Sequence, residues 1–137
     1  MIVRRIVAQV TEDRYDSTTD PERFTLREAV AHLADWQEID LDRIRISIEH
    51  KDGGILTPYD ESERAEEKGY VNLDVEEQLD LYEARRRVII EFLEALTPTD
   101  WGRSGYHPEK GHMTVYDQAN MLVAHDTYHI EHLSQFI

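Results

Sequence analysis

The sequence predicts an all-α protein, a four-helix bundle with a short first helix and a long connection between the second and third helices. Two observations carry this prediction. Apolar residues recur three and four apart in four segments, with turn-forming runs between them. Three of those segments also open on a Thr or Asp placed to cap free backbone amides.

The first segment, residues 2–10, sets Ile2, Val3, Ile6, Val7 and Val10 at helical spacing. A strand fits less well, because Arg4 and Ala8 would share a face with Ile2, Ile6 and Val10. The run DSTTDPE (16–22) is a connection. Thr25 and Glu28 then form a capping-box pattern. Leu26, Val30, Leu33, Ile44 and Ile48 supply an apolar stripe to about residue 49, and Asp52-Gly53-Gly54 is the expected stop. Residues 51–73 form the long connection, with Pro58 and Gly69. Its middle, DESERAEEK, reads as one short exposed helix whose acidity is solvated surface.

Asp74 is placed to cap a third helix. Val75, Leu79, Tyr82, Val88, Ile89, Phe92 and Leu96 form its expected buried face, with Arg85-Arg86-Arg87 opposite much of it. Thr97-Pro98 stops this helix, because proline disfavours α geometry in the residue before it. Residues 97–113, with Trp101, Gly102, Gly105, Pro108 and Gly111, read as a loop. Thr114, with Asp117, opens a last helix that runs to the end. No internal repeat interrupts this order, and residues 1–137 are expected to form one domain.

Composition narrows the function. Fifteen basic residues against 29 acidic ones give a formal charge of −14, which repels phosphate backbones; nucleic acid and anionic membranes are not expected as partners. No apolar run approaches the roughly 18 residues of a membrane span. The opening MIVRRIVAQVTEDR lacks the pattern of a signal peptide, and a cytoplasmic location is expected. With no cysteine, the chain offers neither a thiolate nucleophile nor a thiolate ligand.

The chemistry concentrates in HDTYHIEH, residues 125–132. At about 100° per residue, His125 and His129 point within roughly 40° of each other, and His132 falls about 20° to the other side of His125. The same stripe passes through Gln118, Leu122 and Phe136, so it faces the interior. Two imidazoles one turn apart can close on one ion. A third ligand must come from another helix, and His32, between Ala29 and Trp36 beside Leu33, is the best candidate. A hydrogen-bonded core pair is the competing reading of His125 and His129, and a structural role is the competing reading of His32. His50, at the end of the second helix, is expected at the surface.

At these residues the sequence resembles the DinB-like family, including its YfiT-type subgroup. The resemblance rests on Phe24-Thr25, HLADWQE (32–38), LTPTDW (96–101), YHPEKG (106–111) and MTVYDQANMLVAHDTYHIEHL (113–133). It implies a four-helix bundle with three histidines binding nickel or zinc, which by motif are His32, His125 and His129. The first helix is shorter than the family's usual one, so a homodimer in which a partner covers the gap is expected.

Three imidazole ligands would leave a coordination position open. The resemblance implies one divalent ion as cofactor, zinc or nickel ahead of iron or manganese, working on a small-molecule substrate. Asp35, Tyr128 and His132, near the ligands on their helices, are the candidate catalytic or ligand-orienting groups. Asp126 and Glu131 are expected to face solvent, and Tyr106 and His107 to border the pocket mouth. The resemblance places a transferase or isomerase using a low-molecular-weight thiol slightly first. A hydrolase with a metal-activated water is the alternative, and a non-catalytic metal-binding stress-response protein the third reading.

Overall fold

The computed structural model describes residues 1–50 and 53–137. In chain order its elements are α1 (Ile2–Val7), α2 (Leu26–Glu49), α3 (Glu61–Lys68), α4 (Val75–Glu94), α5 (Pro98–Trp101), β1 (Ser104–His107), β2 (Gly111–Thr114) and α6 (Val115–Ser134). Helices α1, α2, α4 and α6 form the four-helix bundle. α2 is its centre, packing on both α4 and α6, while short α1 lies against α6. Among the described residues no helix is long and apolar enough to cross a membrane.

The capping signals act as the sequence predicts. Thr25 Oγ1 accepts from the Glu28 amide while the Glu28 carboxylate accepts from the Thr25 amide, and the same exchange joins Thr114 to Asp117. Asp74 accepts from the Glu77 amide at the start of α4. Each cap satisfies amides that a helix start would otherwise leave bare. At its other end α2 stops at Glu49, where His50 turns extended and exposed. Asp52, part of the expected stop, lies outside the described residues. Gly53 has φ +75°, and a side chain there would stand 2.9 Å from the Ser104 carbonyl oxygen, so only glycine lets the chain pass the strand.

Two apolar clusters hold the long helices together, and a smaller one of Ala31, Ala65 and Tyr70 seats α3. Val3, Ile6 and Val7 of α1 pack with Leu26, Val30 and Leu33 of α2, Leu79 of α4 and Leu133 at the end of α6. Farther along, Leu41 and Ile44 meet Ile89, Val115 and Leu122. On α6, His125 and His129 fall between the two larger clusters in sequence, while His32 lies among the α2 residues of the first. Val3, Ile6 and Val7 of short α1 are buried while Ile2 is exposed, and Arg4 ties the helix to α4 through Glu83, Asp80 and Glu76.

Three expectations need correction. Residues 97–113 are not a plain loop: α5 carries its own Thr97–Asp100 capping box, and β1 and β2 form an antiparallel hairpin. The hairpin is anchored to the chain after α2, where Leu56 N–H donates to the Tyr106 carbonyl and Tyr106 N–H to that of Gly54. Four-residue strands are too short to show period-two alternation, which hides them in the sequence. Gly105 lies so close to α2 that a Cβ would stand 2.5 Å from Leu56 and 2.9 Å from the Ser47 hydroxyl. Second, Arg86 does not lie on an outer face of α4. Its guanidinium turns inward to Asp126 and Gln37, while Val88, expected in the core, is half exposed. Third, Asp126 does not face solvent, because it answers that buried guanidinium and the Tyr82 hydroxyl. Helical periodicity cannot show a long cationic side chain reaching back into the core.

Candidate metal centre

α2 delivers His32 and α6 delivers His125 and His129 to one point. His32 Nε2 lies 2.8 Å from His125 Nε2, which lies 3.2 Å from His129 Nε2. The three nitrogens fall within 4.8 Å of one another. Ligands about 2.0–2.1 Å from a tetrahedral cation stand about 3.3 Å apart, so the spacing suits one ion.

The donor chemistry also fits. Burial, with repulsion from His125 and His129, pushes His32 down to about 2. Burial likewise pushes His125 to about 4, and burial with His125 and His132 pushes His129 to about 3. All three are therefore neutral at ordinary pH and offer lone pairs. One proton can bridge one nitrogen pair, but it cannot serve three facing nitrogens. The Nδ1 atoms of all three find no hydrogen-bond partner among the described residues. Ring packing therefore orients them: Phe24 and Trp36 flank His32 at 5.4 and 4.5 Å, and Tyr128 stands edge-on to His129 at 5.0 Å.

The other sequence candidates separate from this point. Asp35 gives both carboxylate oxygens to Arg64 and also accepts from the Tyr70 hydroxyl, which docks α3 on α2. Arg64 holds Asp35 below the usual carboxylate range against the cost of burial. Tyr128 is 56% exposed, with the Arg23 guanidinium 4.8 Å from its ring centre. His132 is buried, its ring 6.2 Å from that of His129, and neither of its nitrogens finds a hydrogen-bond partner among the described residues. Glu131 faces solvent and pairs with Arg23.

A cavity of about 300 Å³ opens beside His125. Trp36 and Asp40 of α2, Met121 of α6 and His107 of β1 help line it, and Glu61 of α3 stands at its rim. Glu61 Oε1 is 3.9 Å from His32 Nε2. Asp40, which has no hydrogen bond to the described residues, is pushed up to about 6 by burial, with Arg43 and Arg86 opposing. Sequence reasoning missed both carboxyls. Asp40 had a signal, since His32, Trp36 and Asp40 continue one helical face. Glu61 had none, because which acid of α3 faces inward is set by the Asp35–Arg64 contact. His107, placed at the pocket mouth by the sequence, is a buried wall residue, whereas Tyr106 is exposed.

Comparison with known proteins decides the family. The family model described as the DinB superfamily matches residues 1–133. The chain belongs to the DinB superfamily. This DinB-superfamily protein is 29% identical over 133 residues to "Putative metal-dependent hydrolase OB0782" of Oceanobacillus iheyensis, covering 97% of this chain and 76% of the relative. It is 27% identical over 134 residues to "Putative metal-dependent hydrolase YfiT" of Bacillus subtilis, covering 97% and 75%. A solved structure of YfiT from Bacillus subtilis, described as "a probable metal-dependent hydrolase with an unusual four-helix bundle topology", superposes with a TM-score of 0.90 at 26% identity. That match covers 98% of this chain and 77% of the other.

Proposed function

We propose that this DinB-superfamily protein is a metal-dependent hydrolase of small molecules, with one divalent cation held by Nε2 of His32, His125 and His129. The observation that carries the reading is the convergence of three neutral imidazole nitrogens beside a cavity, with the Glu61 carboxylate 3.9 Å from one of them. Imidazole donors suit zinc or nickel, and such a cation supplies Lewis acidity to a substrate carbonyl or a water. Glu61 is the proton carrier. Partial desolvation and Asp60 hold its carboxyl above the usual value, which suits a group that takes a proton from water and later gives it up. As the water oxygen bonds to the carbonyl carbon, Glu61 takes its proton; as the bond to the leaving group breaks, Glu61 returns it. Trp36 and the apolar cavity wall line the substrate's side of that exchange, while Glu61 keeps contact with solvent.

This reverses the order the sequence favours, because carboxyls at the cavity supply proton transfer that hydrolysis requires. Transfer to an external low-molecular-weight thiol stays as the second reading. The cysteine-free chain requires any thiol to come from outside, and the cavity has room for one. A non-catalytic metal-binding role fits less well with a cavity opening beside a ligand.

The test uses metal-replete protein against aryl esters and amides, with and without glutathione, bacillithiol or mycothiol. Turnover without thiol is expected, and Glu61→Gln should lower kcat by about 100-fold or more while metal content stays constant. A strict thiol requirement transfers the conclusion to the second reading. An unchanged kcat in Glu61→Gln removes Glu61 from the mechanism.

A further inference from the structure

One wall of the cavity brings together side chains of α2 and of the turn between β1 and β2. Along α2, His32, Trp36, Asp40 and Arg43 follow one face, and Arg43 lies about 16 Å along the axis from His32. Arg43 donates from Nη2 to the Thr57 carbonyl at 2.7 Å, its Nε has no partner, and it makes no ion pair among the described residues. Burial lowers its pKa, with Asp40 and Glu109 opposing. His107 stands on the hairpin opposite. Its Nδ1 accepts from the amides of both Glu109 and Lys110, at 3.1 and 3.2 Å. The neutral ring must therefore carry its proton on Nε2, leaving that N–H as the donor edge. Lys110, from the same turn, also lines the cavity and has no ion pair among the described residues.

We propose that Arg43, His107 and Lys110 form a carboxylate subsite, and that the substrate is a small elongated carboxylate whose other end reaches the three histidines. This inference rests on the metal-centre reading of those histidines. The chain as a whole carries −14, yet the cavity lining sets Arg43, Lys110 and a fixed N–H donor against only Asp40 and Glu61. Cations turned into a cavity of a strongly acidic protein are the expected arrangement for an anionic ligand. Trp36, Ile44, Leu56 and Met121 supply the apolar sleeve for the middle of such a molecule. Asp40 faces the same space and offsets part of the Arg43 charge.

Calorimetric titration of metal-free and zinc-loaded protein with hexanoate and hexanamide tests the subsite, with the ¹⁵N resonance of His107 Nε2 as a second readout. Hexanoate should bind metal-free protein and shift that resonance. Hexanamide should bind about tenfold or more weakly, as should hexanoate to Arg43→Gln and to Lys110→Gln. Lys110→Gln changes a loop side chain and covers the case in which Arg43→Gln does not fold. His129→Ala separates the two readings: it should lose zinc and keep hexanoate. Equal binding of acid and amide, no binding of the acid, or binding that needs zinc and ignores both cation variants each overturns the subsite. Loss of metal binding alone leaves it standing.

Discussion

His125 and Asp126 are neighbours on α6, yet they serve two buried polar assemblies of opposite kind. Asp126 accepts from Nη1 and Nη2 of Arg86 and from the Tyr82 hydroxyl, while Gln37 accepts from Arg86 Nε and donates to the Leu33 carbonyl. That network closes on itself and ties α2, α4 and α6 together. His125 meets His32 and His129 nitrogen to nitrogen, and no Nδ1 in the cluster is answered among the described residues. A closed network specifies packing. An open one, with lone pairs aimed at a common point, calls for a cation. Burial of polar groups does not separate structure from site here; unmet valence does.

Removing one ligand sharpens this contrast most. His129→Ala should lower zinc or nickel affinity by more than the roughly 10–100-fold that changes around a metal ligand cost. Elemental analysis beside wild type reads it, and equal metal in both removes the site. Asp126→Ala should have the reverse profile. It leaves the Arg86 charge buried and unpaired, at about 3–5 kcal/mol in urea unfolding, while metal affinity changes little. Strong loss of metal in that variant would merge the two assemblies into one.

Acid should also tell them apart. Each cluster imidazole has a folded value below its ordinary 6.5, so the unfolded chain binds protons that the folded chain refuses. The associated stability is fully present above about pH 6.5 and is lost as pH falls toward 4 and below. Urea midpoints of metal-free protein should begin to drop between about pH 6.5 and 5, above the usual carboxylate range. A flat profile there contradicts buried neutral rings. Asp35→Ala comes next, at about 1–3 kcal/mol, because it strips the Arg64 and Tyr70 bonds that seat α3. It should also lower kcat through a displaced Glu61 with metal retained; unchanged kcat would break the link from Asp35 to Glu61. Smallest is Thr114→Ala, about 1 kcal/mol in thermal unfolding with metal content untouched.

Much of this arrangement was legible in local pattern. Thr25, Asp74 and Thr114 announce the three long helices, because a cap and its free amides lie within one turn. His125 and His129 share a stripe through helical geometry alone, and the buried positions of Gln118, Leu122 and Phe136 show which way that stripe faces. The hairpin at 104–114 left too short a pattern to read. Arg86 and Asp126 were misplaced because periodicity locates a Cβ, not the end of a long side chain, and not the partner that draws it inward.

Chain-local physics was enough to dictate helix starts, the inward turn of HDTYHIEH and the likeness to a three-histidine bundle, since each depends on residues a few positions apart. Which acids stand at the cavity was settled by packing between distant segments. Glu61 reaches His32 because Arg64, three residues on, is clamped by Asp35. Arg43 and His107 share a wall because the chain near Leu56 bonds to the hairpin. No spacing rule within one element encodes either meeting, because a contact across the bundle exists only after the helices have docked.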